Sequence, residues 1–117
     1  IQYALAYPNR ISSLSRRFSF TDYPTLTFEQ PDLETFQNLT LAYEALEKGG
    51  NMPCILNAAN EIAVNAFLND QISFLGMSDL ISSCMQKISF IKQPILEDYI
   101  QTDEITRRKA IELLQSI

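Results

Sequence analysis

The chain has 117 residues, 46% of them hydrophobic, and its 14 acidic and 9 basic residues give a net charge of -5. This length and apolar content suit one globular domain with a hydrophobic core. The acidic balance argues against nucleic acid as a partner, and no apolar run approaches the roughly 20 residues that span a bilayer. We therefore expect a cytoplasmic protein without a nucleic-acid or membrane partner.

The absence of histidine and the small number of glycines exclude several classes of functional site. Without histidine, the chain cannot form a Ser-His-Asp or Cys-His catalytic group or most catalytic zinc sites. Its three glycines, Gly49, Gly50 and Gly76, cannot form a GxGxxG dinucleotide turn or a GxxxxGK phosphate loop. Cys54 and Cys84 have the apolar neighbours typical of buried free thiols. We assign no catalytic, cofactor-binding or metal-ligating residue to this chain.

The first 31 residues predict little regular structure. Gln2–Tyr7 has the pattern of the last turns of a helix, and a start at Ile1 rather than methionine suggests that a segment precedes it. Residues 8–31 contain three of the five prolines and no helical periodicity, which predicts an extended linker. Within the linker, residues 23–29 alternate Leu26 and Phe28 with polar side chains, the pattern of a half-buried strand. Such a strand needs a partner edge, which we expect outside this chain.

Aromatic side chains are unusually frequent in and just after the linker. They are Phe18, Phe20, Tyr23, Phe28 and Phe36. A free tether would not carry so many, so we expect them to pack against the helical domain or against a missing domain.

Helical periodicity begins at Asp32 and predicts a first helix that ends at Gly49 and Gly50, a pair suited to a left-handed C-terminal cap. Its expected buried stripe is Leu39, Ala42, Tyr43 and Leu46. Pro53 suits the first position of a second helix, because its missing N–H is not needed there. The expected buried stripe of that helix is Ile55, Ala59, Ile62 and Ala66, flanked by Leu56, Ala63 and Phe67.

Two more helices are predicted after a short connection over residues 72–76. Ser78 or Asp79 should cap the third helix. Its expected inward residues are Leu80, Ile81, Cys84, Met85 and Ile88. After Pro94, a short helical segment over residues 95–100 precedes a final helix that starts at Thr102–Glu104. The apolar residues of that final helix are Ala110, Leu113, Leu114 and Ile117.

These elements together predict a mainly α fold. It is a four-helix-bundle-like domain preceded by an extended linker with one possible β-strand, because short connections favour antiparallel neighbouring helices.

Four sequence blocks resemble the signatures of one enzyme family, in the order in which that family shows them. The blocks are Ala4–Ile11, Leu26–Asp32, Leu41–Ala45 and Leu56–Glu61. The resemblance is strong through about the first 75 residues and continues after Gly76 only in pattern and length. On these blocks the chain resembles the C-terminal part of the 1-deoxy-D-xylulose 5-phosphate reductoisomerases.

The resemblance implies an enzyme that converts 1-deoxy-D-xylulose 5-phosphate to 2-C-methyl-D-erythritol 4-phosphate in non-mevalonate isoprenoid biosynthesis. Its cofactors would be NADPH and Mg²⁺ or Mn²⁺. Residues 1–7 would be the tail of the catalytic domain, 8–31 the linker and 32–117 the C-terminal helical bundle domain. The family's nucleotide turn, metal ligands and substrate contacts match positions upstream of Ile1. We therefore expect a non-catalytic C-terminal fragment whose partner is the catalytic domain of the same chain, in a homodimeric enzyme.

The residues that most invite a functional interpretation are Asn57, Asn60 and Glu61, which share one helix face opposite the apolar stripe. We favour structural hydrogen bonds to the catalytic domain or to the linker backbone. A solvated polar surface is the second interpretation, and direct contact with substrate is the third.

Paired charges are assigned to solvated faces. The acidic pairs are Glu97-Asp98 and Asp103-Glu104, and the basic runs are Arg16-Arg17 and Arg107–Lys109. A carboxylate pair could bind a hard cation, but adjacent helical residues diverge by about 100°, so helix-start electrostatics is favoured. A phosphate could attract either basic run, but an exposed helix face explains the second run more simply.

Two functions of other classes are also considered. The chain could be an independent helical protein-interaction module with the aromatic linker as its docking segment. It could also be a small metal-binding domain, although the lack of histidine and of clustered ligands argues against this. The reading frame upstream of Ile1 separates the enzyme from the interaction module.

Overall fold

A computed structural model describes residues 1–115 and contains five helices and no β-strand within that range. The chain divides into two compact units, Ile1–Gln30 and a second unit that begins at Pro31. The first unit contains α1 (Gln2–Ala6), and the second contains α2 (Gln37–Lys48), α3 (Met52–Leu68), α4 (Phe74–Lys87) and α5 (Leu96–Leu114). The mainly α, four-helix-bundle-like fold is confirmed. Of its predicted residues, Ile117 lies outside the described range.

The first unit is held by local contacts. The side-chain amide of Gln2 donates to the carbonyl of Ser12 at 3.1 Å. The ring of Phe18 lies 5.0 Å from that of Phe20 and 5.5 Å from that of Tyr23. Three of the aromatic side chains noted in the sequence therefore pack against one another. The bond between Tyr7 and Pro8 is cis.

The predicted strand over residues 23–29 is not formed. This segment has no regular secondary structure, and Leu26 and Phe28 are exposed. The alternating pattern alone cannot make a strand, since strand hydrogen bonds need a neighbouring edge and residues 1–115 provide none.

Helix α2 begins five residues later than the periodicity predicted. The carboxylate of Asp32 accepts the backbone N–H groups of Glu34 and Thr35 at 3.1 and 2.9 Å. The carbonyl of Asp32 accepts the N–H of Phe36 at 3.1 Å. These bonds close a turn before the helix starts, as short acidic side chains often do. At the other end, the helix ends at the expected glycine pair, where both glycines have positive φ, but Gly49 with φ 64° and ψ -147° does not adopt the predicted left-handed helical cap.

The predicted buried stripe of α2 is wrong. Leu39, Ala42, Tyr43 and Leu46 are all exposed. Only Ala45 of this helix is buried, with Leu41 half-buried against the core. Helix α2 carries apolar side chains on two faces, and the periodicity did not distinguish the face that meets the bundle.

Helix α3 is the centre of the bundle, and it packs against the other three helices of the second unit. Its predicted stripe is largely confirmed, since Ile55, Ala59 and Ala66 are buried and Ile62 is half-buried. Four alanines are buried along it, at positions 58, 59, 63 and 66. Small side chains allow neighbouring helices to approach closely, so the core is built around this helix.

Helix α4 begins before the predicted cap. Residues 72–76 were expected to be a connection, but the helix already starts at Phe74 because the Ser73 hydroxyl accepts the N–H of Gly76 at 3.1 Å. Ser78, one of the two predicted caps, is buried inside the helix. The predicted inward residues Leu80, Ile81 and Cys84 are buried, and Met85 and Ile88 are half-buried.

Helix α5 is one continuous helix of 19 residues where the sequence suggested two. The Asp98 carboxylate accepts the N–H of Ile95 at 3.0 Å and stabilises the helix start. Thr102, where the final helix was expected to start, is buried within α5. Its carbonyl accepts the Thr106 hydroxyl at 2.6 Å, and its own hydroxyl accepts the Asn51 amide. These partners satisfy residues that otherwise favour helix ends.

The buried side chain of Asn51 joins three elements. Its Nδ2 donates to the carbonyl of Ser89 at 3.0 Å and to the Thr102 hydroxyl at 3.1 Å, and its Oδ1 accepts the N–H of Ile91 at 2.9 Å. Its backbone N–H donates to the carbonyl of Ile91 at 3.1 Å. Asn51 therefore connects the start of α3 to the α4–α5 connection and to α5.

Gly50 is required beside this amide. Its φ is 56°, and a Cβ there would meet the carbonyl oxygen of Ile91 and the ring of Phe90. Only glycine combines this left-handed backbone with so close an approach.

None of the helices within residues 1–115 combines the length and apolar character that crossing a bilayer requires.

We predict that Asn51→Ala lowers the free energy of unfolding by about 2 to 4 kcal/mol, because it leaves the buried Thr102 hydroxyl and two backbone groups without their partner. Urea unfolding followed by circular dichroism measures this loss. The matched control is Asn57→Ala on the exposed face, which should change stability by less than about 0.5 kcal/mol. Equal unfolding midpoints for the two variants would show that the Asn51 bonds do not stabilise the bundle.

A second prediction concerns acid. Hydrogen bonds from Thr35, first from its side chain and then from its backbone, lower the pKa of Asp32 below its usual value. The stability that Asp32 contributes is therefore present above its unfolded pKa of about 4 and lost as the pH falls through its lower folded value. Asp32→Asn keeps an acceptor oxygen but does not titrate there. Unfolding measured from neutral to strongly acidic pH should show a shallower acid loss for this variant, and parallel curves would contradict the assignment.

Candidate functional site

A polar cluster on the outer face of α3 and α5 contains four of the residues that the sequence marked as functional candidates. The Arg107 guanidinium contacts the Asp103 carboxylate through Nε at 2.7 Å and through a terminal nitrogen at 3.1 Å. A terminal nitrogen also donates to the Glu61 carboxylate at 2.8 Å. The Asn57 amide donates to the other Glu61 oxygen at 3.3 Å. We call these four residues the α3–α5 polar cluster.

The helix spacing explains this arrangement. Asn57 and Glu61 are four residues apart on α3, and Asp103 and Arg107 are four residues apart on α5, so each pair faces the same way. The two helices pack side by side. A planar guanidinium can bind two carboxylates at once, so Arg107 links α5 to α3.

The charge on Arg107 favours stable ion pairs rather than proton transfer. Hydrogen bonds to Asp103 and then to Glu61 raise the pKa of Arg107 above its usual value, so the guanidinium stays charged. The charges of this cluster also affect the half-buried thiol of Cys54. Burial, followed by the charge of Asp103, raises its pKa and leaves it protonated and weakly nucleophilic near neutral pH. Neither Arg107 nor Cys54 is therefore an activated base or nucleophile.

The structure changes the interpretation of Asn57, Asn60 and Glu61. Asn57 and Glu61 are exposed and bind each other, and Glu61 also binds Arg107 on α5. Asn60 is half-buried and takes no part in these bonds. Glu61 therefore bonds within the bundle, to a residue of α5 rather than to the linker backbone or the catalytic domain that the sequence analysis favoured. Contacts of these residues with another domain or with substrate stay predictions.

The acidic pairs divide between two roles. Asp98 stabilises the start of α5 beside the exposed Glu97, as helix-start electrostatics predicted. Asp103 lies inside α5 and pairs with Arg107, so its assignment to a helix start is wrong. Across residues 1–115, no three His, Cys, Asp or Glu side chains come together in a group that could hold a metal ion.

The basic runs are also partly reassigned. Arg107 is only partly exposed and is bound by two carboxylates, so the run in α5 is not simply an exposed face. In the first unit, Arg16 pairs with Asp22 at 2.8 Å and Arg10 lies 4.7 Å from the centre of the Tyr3 ring. The contact with Asp22 occupies one arginine of the first basic run.

Sequence reasoning missed Asn51. An asparagine between two glycines and the first turn of a helix is typical of a cap, and nothing local to it indicates burial. Its three side-chain bonds reach residues 38, 40 and 51 positions away. The available signal was the Gly49-Gly50 pair before it. Two adjacent glycines indicate an unusual backbone conformation, but they do not indicate that the next side chain is buried.

Comparison with known proteins decides the family. The family model described as the DXP reductoisomerase C-terminal domain matches residues 1–109. The chain belongs to this family. The match extends well past Gly76, so the second half of the chain, whose resemblance was only one of pattern and length, is included.

Curated relatives support the same family assignment. The 1-deoxy-D-xylulose 5-phosphate reductoisomerase of Phocaeicola vulgatus is 58% identical over 99% of this chain and 30% of its own length. That of Halothermothrix orenii is 46% identical over 97% of this chain and 29% of its own length. The chain therefore spans about 30% of the length of the curated relatives it matches.

Solved structures show the same fold. The reductoisomerase from Zymomonas mobilis in complex with NADPH has a TM-score of 0.84 and 36% identity, covering 99% of this chain and 31% of that one. A reductoisomerase in complex with NADPH, fosmidomycin and magnesium has a TM-score of 0.83 and 30% identity, covering 97% of this chain and 30% of that one.

We predict that Arg107→Lys lowers the free energy of unfolding by about 1 kcal/mol, because an ammonium cannot reproduce the fork that binds Asp103 and Glu61 together. Chemical unfolding at low and high salt measures this loss, which should shrink at high salt as screening weakens the pairs. The neighbouring Arg108→Lys, at an exposed position, is the matched control and should be neutral. A loss of the same size at both positions would contradict the cluster's role.

Proposed function

We propose that this chain is the linker and C-terminal helical domain of an enzyme that converts 1-deoxy-D-xylulose 5-phosphate to 2-C-methyl-D-erythritol 4-phosphate. The enzyme uses NADPH and Mg²⁺ or Mn²⁺ and acts in non-mevalonate isoprenoid biosynthesis in the bacterial cytoplasm. The observation that carries this proposal is the family match over residues 1–109, together with 58% identity to a reductoisomerase over 99% of the chain.

The proposed division has three parts: residues 1–7 as the tail of the catalytic domain, 8–31 as the linker and 32–117 as the helical domain. It is supported by the short α1 at the start and by the change from a locally held segment to a helical unit at Pro31.

The helical domain is structural in this proposal. The chain has no glycine-rich nucleotide turn, and no three side chains of metal-ligating type are grouped within residues 1–115. Its residues therefore do not fit NADPH or a divalent cation, and we assign both groups to the rest of the enzyme. The domain's own residues serve its rigidity, with Asn51 tying the α4–α5 connection to α3 and Arg107 tying α5 to α3.

A rigid domain can support a neighbouring one by packing against it. The partner in this proposal is the catalytic domain of the same chain, and the intact enzyme is a homodimer. The support comes from relatives that are about three times as long as this chain and that share its fold.

The test compares three proteins in an assay of NADPH oxidation with 1-deoxy-D-xylulose 5-phosphate and Mg²⁺: the product of the full reading frame, the same product lacking residues 8–117, and this chain alone. We expect activity from the first, a loss of at least about tenfold in kcat/KM from the second, and none from this chain. Omitting the metal is the control for the first protein.

Two results would count against the proposal. Steady NADPH oxidation by this chain alone would overturn the non-catalytic assignment. A full reading frame that begins just before Ile1, or a full-length product without activity, would favour an independent helical interaction module.

A further inference from the structure

Helix α2 has an outer apolar face that the bundle does not use. Its members are Phe36, Leu39, Ala42, Tyr43 and Leu46, which we call the α2 outer face. Phe36 is 54% exposed, Tyr43 55% and Leu46 74%. A helix spacing of about 100° per residue places the four residues of α2 on one side, and Phe36 directly precedes the helix.

The opposite side of α2 already meets the bundle through Leu41 and the buried Ala45. A helix that is apolar on two opposite sides is typical of one covered on both. A contiguous exposed apolar face on a folded unit marks an interaction site more often than a solvated surface does.

Two other groups of exposed apolar residues in the second unit are arranged differently. On α5, Leu96 and Ile100 continue along the helix into Asp103 and Arg107 of the α3–α5 polar cluster. Near the start of α4, the ring of Phe74 packs 6.2 Å from that of Phe67. The α2 outer face contains no charged residue, which distinguishes it from the apolar residues of α5.

Charge along one edge of the face indicates the chemistry of its partner. Around the helix, Glu47 lies beside Phe36 and Tyr43, and Glu44 lies further from them on the same side. Both glutamates are exposed. The side chain of Thr40, on the same edge, turns back to the carbonyl of Leu33 at 3.1 Å. A fitting partner is therefore apolar at its centre with basic groups along one edge.

We propose that the α2 outer face binds the part of the reductoisomerase chain that precedes Ile1. This inference rests on the proposed function, since it takes its occupant from the enzyme that the family match indicates. About 70% of the length of the curated relatives lies outside the segment they share with this chain. The helix is also the first one that the chain reaches after the linker, and the apolar face starts at Phe36, immediately before it.

A photo-crosslinker on the full-length enzyme tests this directly. Benzoylphenylalanine replaces Tyr43, whose ring it resembles, and in a control protein it replaces Ile111, which is 46% exposed on α5. Equal amounts of isotopically heavy and light enzyme are mixed before irradiation, so that mass spectrometry separates links within one chain from links between two chains.

The expected result is a link from position 43 to residues upstream of Ile1 in the same chain, with little linking from position 111. Adding Leu46→Lys should lower the yield from position 43 by about tenfold, because an unpaired ammonium in an apolar contact disfavours the bound state. Ile111→Lys should leave that yield unchanged. Circular dichroism confirms that each variant keeps its helices.

Links from position 43 that reach only residues 8–31, links only to a second chain, or no links at all would overturn the inference. Reductoisomerase activity, measured before irradiation, tests the proposed function separately. An active enzyme without the expected link refutes the α2 contact alone, whereas an inactive one refutes the proposed function.

Discussion

The arrangement of the helical unit depends on one buried amide. Asn51 places all of its side-chain hydrogen-bonding groups in contact with the α4–α5 connection and with α5. A buried amide is costly unless its donors and acceptors find partners, so this side chain fixes where those elements can lie. Without it, α3 would still be amphipathic, but the connection opposite its first turn would keep the backbone bond from residue 51 to the Ile91 carbonyl and lose the side-chain bonds to Ser89 and Ile91.

The two preceding glycines make this amide possible. Gly49 and Gly50 both have positive φ and end α2 with a sharp change of direction. The Ile91 carbonyl and the Phe90 ring then approach Gly50 too closely for any side chain. The glycine pair and the buried Asn51 amide therefore depend on each other, and a change to either one affects the other.

Small side chains determine the rest of the packing. The buried alanines of α3 let three helices contact it, so the core is narrow and most large apolar residues of α2 and α5 remain outside it. The domain consequently has a well-fixed interior and an apolar exterior. This combination is typical of a domain that packs against another one.

The sequence by itself determined the class of fold, the family and most of α3. These depend on local patterns: the apolar spacing from Ile55 to Ala66, the glycine pair after Lys48, and four blocks in family order. It also excluded histidine chemistry and glycine-rich nucleotide turns, because those need residues that the chain lacks.

Only the tertiary structure decided which face of α2 is buried, where α4 and α5 begin, and what Asn51 and Arg107 contact. Helix α2 is apolar on two sides, so its periodicity fits either orientation, and the contact with α3 selects Ala45 over Leu46. Thr102 has the local preference of a cap, but a hydrogen bond from an amide 51 residues away lets it stay inside a continuous helix. Such bonds join positions distant in sequence, and no local pattern encodes them.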